Sequence, residues 1–161
     1  MSSYHIDRHF SHPTHLVWRA LTDPELVPRW TATGMGGRPV GFRPEVGTEF
    51  RYVAKPIPGW GGVVQCKVLA VEAERLLSYS WLGDEGDDLT TVTCRLLPER
   101  GGTQLVWEHT GFTGAGGFLM AQLLRRVRAK MLDEGLPSVL DDLAVHEAQT
   151  PSNPPPAPVL T

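Results

Sequence analysis

No stretch of this 161-residue chain approaches the roughly 18 to 20 consecutive apolar residues that span a bilayer. Met1 to Phe10 likewise holds no apolar run of signal-peptide type, so a cytoplasmic location with no membrane span is expected. Cysteine is scarce: Cys66 and Cys94 stand far apart in strand-like sequence and form no CxxC, which predicts free buried thiols rather than a disulfide or redox pair. There is no basic excess, since 15 Lys and Arg face 18 Asp and Glu for a net charge of -3, so a nucleic-acid partner is not expected. The sequence also lacks HExxH, GxxxxGK[ST], a GxGxxG after a strand and a GxSxG elbow. Zinc-protease, nucleotide, flavin and serine-hydrolase chemistry are therefore without support. His5, His9, His12 and His15 do not replace them, because a four-residue step along a strand spans roughly 13 Å and cannot bring His5 and His9 onto one ion. Neither a metal nor a cofactor is expected.

What is present suits one domain, since a chain of this length buries roughly 70% of the surface its unfolded form exposes. Tyr4, Ile6 and Phe10 alternate with His5, Asp7 and His9, the period-two pattern of a half-buried strand. Pro13 presets a helical φ ahead of Leu16, Val17, Ala20 and Leu21; Asp23-Pro24 ends that helix and starts a shorter one with Leu26, Val27 and Trp30 on its apolar side. The Gly- and Pro-rich segment from Thr31 to Gly47 reads as a loop with a short strand around Pro39 to Arg43. Five strand candidates follow, Glu49 to Ala54, Val63 to Val71, Leu77 to Leu82, Thr90 to Leu97 and Thr103 to His109, most simply as an antiparallel meander.

From Gly117 the period changes. Leu119, Leu123, Leu124, Val127 and Met131, then Leu136, Val139, Leu140 and Leu143, fit a long amphipathic helix. Gly135 and Pro137 predict a kink near Met131 to Gly135 or two helices in succession. Arg125, Arg126, Arg128 and Lys130 read as its solvated face. Residues 150–161, with five prolines, read as a disordered or extended tail after a domain of residues 1–149.

A strand, two short helices, an antiparallel sheet and a long final helix point to an α+β helix-grip fold, in which the last helix covers a curved sheet. The stretches VWRALTDP, Trp30, GTEFRY, ERLLSYSW, GGTQLVWEHTGF and DEGLPSVLDDLA make the resemblance specific, and together they span about Ile6 to Val145. The chain resembles the START-like (SRPBCC, Bet v 1-like) superfamily, within it the bacterial branch similar to the C-terminal domain of the activator of Hsp90 ATPase. RVRAKMLDEGLPSVL also resembles the helix of the calicheamicin self-sacrifice resistance protein of the same superfamily. Many members carry Gly-Trp where this chain has Gly135-Leu136, so a pocket role for that tryptophan does not transfer. The resemblance implies a cavity between sheet and helix but no shared reaction.

Alternation turns Leu77, Tyr79 and Trp81 to one face of their strand and Leu105, Trp107 and His109 to one face of theirs. The candidate ligand-binding residues are Trp30, Tyr52, Tyr79, Trp81, Trp107, His109, Val127 and Met131. Histidine titrates near neutral pH, so His109 is the candidate proton-transfer group, with Glu49 as its partner should the protein be an enzyme. Arg43, Glu49 and Arg51 are candidates for a polar mouth, and Trp60 in Pro58-Gly59-Trp60-Gly61-Gly62 for a lid on a turn. The leading expectation is a protein that binds a hydrophobic or aromatic small molecule, for sequestration, transport or resistance, and is not an enzyme. The alternatives are a cyclase- or hydrolase-type enzyme using the same cavity and a cofactor for an Hsp90-type chaperone.

Overall fold

The computed structural model describes residues 1–31, 37–56, 61–83 and 87–149. Seven strands form one antiparallel sheet in the order β1-β7-β6-β5-β4-β3-β2. They are β1 (Ser2–Phe10), β2 (Arg38–Val40), β3 (Glu49–Val53), β4 (Val63–Glu72), β5 (Leu76–Leu82), β6 (Thr90–Glu99) and β7 (Gly102–Phe112). Strands β2 to β7 run as the expected meander, and β1 pairs beside β7, with Ile6 opposite Trp107 and Tyr4 opposite His109. The short second strand covers Arg38–Val40, so Phe42 and Arg43 lie beyond it. Along β1 and β7 alternate residues are buried, which places Tyr4, Ile6, Leu105, Trp107 and His109 on the inner face.

Helices α1 (Thr14–Thr22) and α2 (Val27–Thr31) follow the first strand. The C-terminal rod is α3 (Gly114–Lys130), a π turn (Met131–Gly135) and α4 (Leu136–Gln149). Asp88 anchors the start of α3 by accepting hydrogen bonds from Thr113 N–H at 2.7 Å and Thr113 Oγ1 at 2.6 Å, and these two bonds lower its pKa. The interruption expected at Gly135 and Pro137 is this π turn, in which Leu136 N–H donates to Met131 C=O, five residues back. Pro137 has no N–H to contribute to an α-helical ladder, and the widened turn absorbs that loss without ending the rod. Gly135 is required there for another reason: a Cβ would lie 2.4 Å from the Trp30 carbonyl oxygen, so only glycine lets α2 approach so closely.

Polar contacts tie the second half of the rod to the N-terminal elements: salt bridges of Arg8 to Asp133 at 2.6 Å and Arg29 to Asp142 at 2.7 Å, and hydrogen bonds between His12 Nε2 and Asp141 at 2.9 Å and between His15 Nε2 and Glu147 at 2.8 Å. Beneath them Leu132, Leu136, Val139, Leu140 and Leu143 are buried in the core. The first half is held differently. Helix α3 packs on β1 and β7 and leaves Leu119 68%, Leu123 56% and Val127 39% exposed. Its buried positions are Ala121 and Arg128, so the inner stripe runs through 121, 124, 128 and 132, one residue out of phase with the apolar stripe 119, 123 and 127. This corrects two expectations at once: Val127 turns toward solvent, and Arg128 belongs to the interior rather than to the solvated face.

Candidate functional site

The inner face of the sheet carries a continuous run of rings. From β3 across to β1, Phe50 meets Tyr79 at 5.5 Å, Tyr52 meets Tyr79 at 6.0 Å and Trp81 at 5.9 Å, Trp81 meets His109 at 5.5 Å, and His109 meets Tyr4 at 5.2 Å. Beside this run Trp30 of α2 lies edge-on to Trp107 at 6.3 Å, with its indole N–H donating to Ala20 C=O at 2.8 Å. Trp30, Tyr79, Trp107 and His109 are buried, whereas Tyr52, Trp81 and Met131 are half-buried. The structure thus brings together seven of the eight candidate ligand-binding residues and leaves Val127 outside. Glu49 is exposed beside buried Phe50 on β3, facing away from His109, and Arg51 and Arg43 are exposed as well. Trp60 and the tail of residues 150–161 lie outside the described residues.

His109 is held by its neighbours. Thr90 Oγ1 donates to Trp81 C=O at 3.1 Å, which leaves its oxygen to accept the 2.6 Å contact from His109 Nε2–H. A proton on Nε2 makes Nδ1 the acceptor, and the Tyr4 hydroxyl donates to it at 3.2 Å. Burial, reinforced by the positive charge of Arg128, pushes the ring's pKa down to about 3. His109 is therefore a neutral, doubly hydrogen-bonded imidazole at physiological pH, with neither nitrogen left to accept a substrate proton.

Sequence reasoning missed the group that dominates the site. The Arg128 guanidinium lies 4.3 Å from the Trp107 ring centroid and 6.0 Å from that of Trp81, and the residue is only 9% exposed. Among the described residues its well-formed hydrogen bond goes to Met131 Sδ at 3.5 Å, with the Tyr4 oxygen also within its influence. It has no ion-pair partner among the described residues. The titratable groups around it are neutral at pH 7: burial raises the hydroxyls of Tyr4, Tyr52 and Tyr79 and pushes the Cys66 and Cys94 thiols up to about 12. Stacking on a desolvated indole contributes about 2 kcal/mol, against a desolvation cost of several kcal/mol for a buried ion. The cation is left undercompensated. Next to it the Trp107 indole N–H is fully enclosed and makes no hydrogen bond among the described residues; it sits near enough to Tyr4 to favour the phenolate without the alignment of a bond.

The signal for Arg128 was present in the spacing. Ala121, Leu124, Arg128, Leu132 and Leu136 recur at helical intervals, but a charged member reads as an error in an apolar stripe unless the opposing wall is known to be aromatic and free of acids. Two open depressions of about 330 and 340 Å³ flank His12 at the corner between β1 and α1. Neither is lined by any of the rings above, so the aromatic face with its buried cation, not these depressions, is the candidate site. Among the described residues no three His, Cys, Asp or Glu side chains converge as a metal site, and no helix is long and apolar enough to cross a membrane.

Comparison with known proteins agrees with this architecture. The family model described as "Activator of Hsp90 ATPase homolog 1-like protein" matches residues 11–146. No curated protein matches the sequence significantly. Among solved structures, protein MLL2253 from Mesorhizobium loti is 33% identical, with 88% of this chain and 98% of that one covered at a TM-score of 0.75. A Rhodobacter sphaeroides protein is 28% identical over 90% of this chain and 93% of its own, with a TM-score of 0.72. CalU16 from Micromonospora echinospora, 22% identical over 91% of this chain and 85% of its own with a TM-score of 0.59, shares the fold.

Proposed function

Because the chain belongs to the Activator of Hsp90 ATPase homolog 1-like family, of the START-like helix-grip class, we propose that it binds a hydrophobic, aromatic small molecule between the inner face of its sheet and the C-terminal rod. The observation that carries this reading is the uninterrupted set of rings from Tyr52 through Trp81 and His109 to Tyr4, of which Tyr52 and Trp81 keep part of their surface open beside half-buried Met131 and Leu124. A purely structural core gains nothing from leaving such rings partly uncovered, whereas a flat ligand laid on them buries apolar area at about 25 cal/mol per Å². Binding is favoured over cyclase- or hydrolase-type turnover because the candidate acid-base pair is not assembled: His109 is neutral and saturated, and Glu49 faces the other way. Sequestration, transport or resistance would each use such a binding protein.

The test is thermal unfolding of the purified protein against a library of aromatic and aliphatic compounds, neutral and charged, with native mass spectrometry of the protein as purified. A ligand at ten times its Kd adds about 1.4 kcal/mol, which for a domain of this size raises Tm by about 3 to 6 °C. Trp81→Ala should abolish that shift. No retained ligand and no stabilisation across the library would refute the proposal.

A further inference from the structure

We infer that the ligand is an organic anion, a flat aromatic body bearing a carboxylate or an ionised hydroxyl, and that Arg128 on α3 is the residue that receives its charge. The inference rests on the binding reading above and adds the chemical class. Four observations converge on it. Arg128 is a guanidinium with five N–H donors, more than nine-tenths buried, whose well-formed hydrogen bond within the described residues is to a thioether. No carboxylate pairs with it there, although exposed arginines of this chain, Arg8 and Arg29, do have carboxylate partners. The enclosed Trp107 N–H beside it is a second donor, with no acceptor among the described residues. Two residues in contact with it, the Trp81 ring and the Met131 thioether, are half-buried rather than sealed in the core.

A buried charge without a counter-ion is strongly unfavourable, and a protein that keeps one either hydrates it or meets it with a ligand. Arginine suits an oxyanion better than lysine would, because its planar fork can present two parallel donors to one carboxylate while its face stays on an indole. Trp107 is the indole it stacks on. The hydrogen-bond chain behind it favours the same polarity. Thr90, His109 and Tyr4 pass their protons away from the guanidinium, so the oxygen that Tyr4 keeps near Arg128 is that of a neutral phenol and does not neutralise it. Arg128 needs no proton transfer to act; it is an anchoring residue.

The probe pair is anthracene-2-carboxylate and anthracene-2-carboxamide, equal in shape and differing in charge, titrated by fluorescence at neutral pH. The wild-type protein should bind the acid at least tenfold more tightly than the amide. Arg128→Met should erase that preference, bringing the acid-to-amide affinity ratio to about one, and Arg128→Lys should restore part of it; sodium nitrate should compete with the acid and not with the amide. Equal wild-type affinities for acid and amide overturn the inference and leave aromatic binding standing. Binding of neither probe overturns both. Tight amide binding with acid exclusion contradicts it as well, and if Arg128→Met fails to fold, the wild-type acid-to-amide ratio and the lysine variant decide alone. Competition by nitrate with no acid preference assigns Arg128 to a small inorganic ion and refutes the organic anion.

Discussion

Replacing His109 by glutamine should change how stability depends on pH more than it changes stability itself at one pH. In the unfolded chain a histidine takes up a proton as pH falls through about 6.5. In the folded protein the ring stays neutral until about pH 3, because it is buried beside Arg128 with Tyr4 and Thr90 closing both nitrogens. Between those values the unfolded state binds more protons than the native one, so acidification destabilises the fold, with a slope of up to about 1.4 kcal/mol per pH unit. The contribution is fully present above about pH 6.5 and is lost progressively below it. Integrated from about pH 7.5 down to about pH 5, where most carboxylates are still ionised, the His109 contribution falls by about 2 kcal/mol. Glutamine can accept from Tyr4 and donate to Thr90, but it does not titrate. Urea unfolding followed by tryptophan fluorescence at the two pH values measures the effect, and the gap between wild type and His109→Gln should narrow by about 2 kcal/mol on acidification. Because the other five histidines are common to both proteins, they cancel in the comparison. Parallel stability curves would refute the assignment of His109 as a buried neutral ring.

Gly135→Ala places a methyl group 2.4 Å from the Trp30 carbonyl oxygen, against main chain that cannot swing aside, and should cost about 1 to 3 kcal/mol in urea unfolding. An unchanged midpoint would show that α2 and the π turn are not in tight contact. Tyr4→Phe removes the donor to His109 Nδ1 and should destabilise by about 1 to 3 kcal/mol, seen as a lowered Tm at neutral pH, while an equally stable variant would contradict the hydrogen-bond chain.

The strands of this fold were legible because burial on one face writes itself as alternation: Tyr4, Ile6 and Phe10, and Leu105, Trp107 and His109, turn inward as their spacing predicts. The site was legible to the extent that its walls are strand residues. The helix was harder. Its apolar residues Leu119, Leu123 and Val127 define a stripe that the structure leaves open, while the true inner stripe passes through Arg128, a residue type that burial rules send outward. Choosing between two stripes one residue apart requires knowing the opposing surface, and here that surface is a wall of indole and phenol rings, with no carboxylate paired to Arg128 among the described residues. Pro137 marked the position of an irregularity but not its kind, since a kink, a break and a π turn all accommodate a missing N–H. Glu49 entered as a partner for His109 through proximity of type and role, and strand alternation at Phe50 turns it to the other face.

The central claim is that an undercompensated guanidinium inside an aromatic wall receives an anionic ligand. The most direct measurement follows the Arg128 guanidinium N–H and the Trp107 indole N–H by nitrogen-15 NMR during titration with anthracene-2-carboxylate. Both signals should move together and saturate with the binding isotherm, because both donors gain an acceptor at the same step. Saturable binding that shifts neither signal would contradict the account.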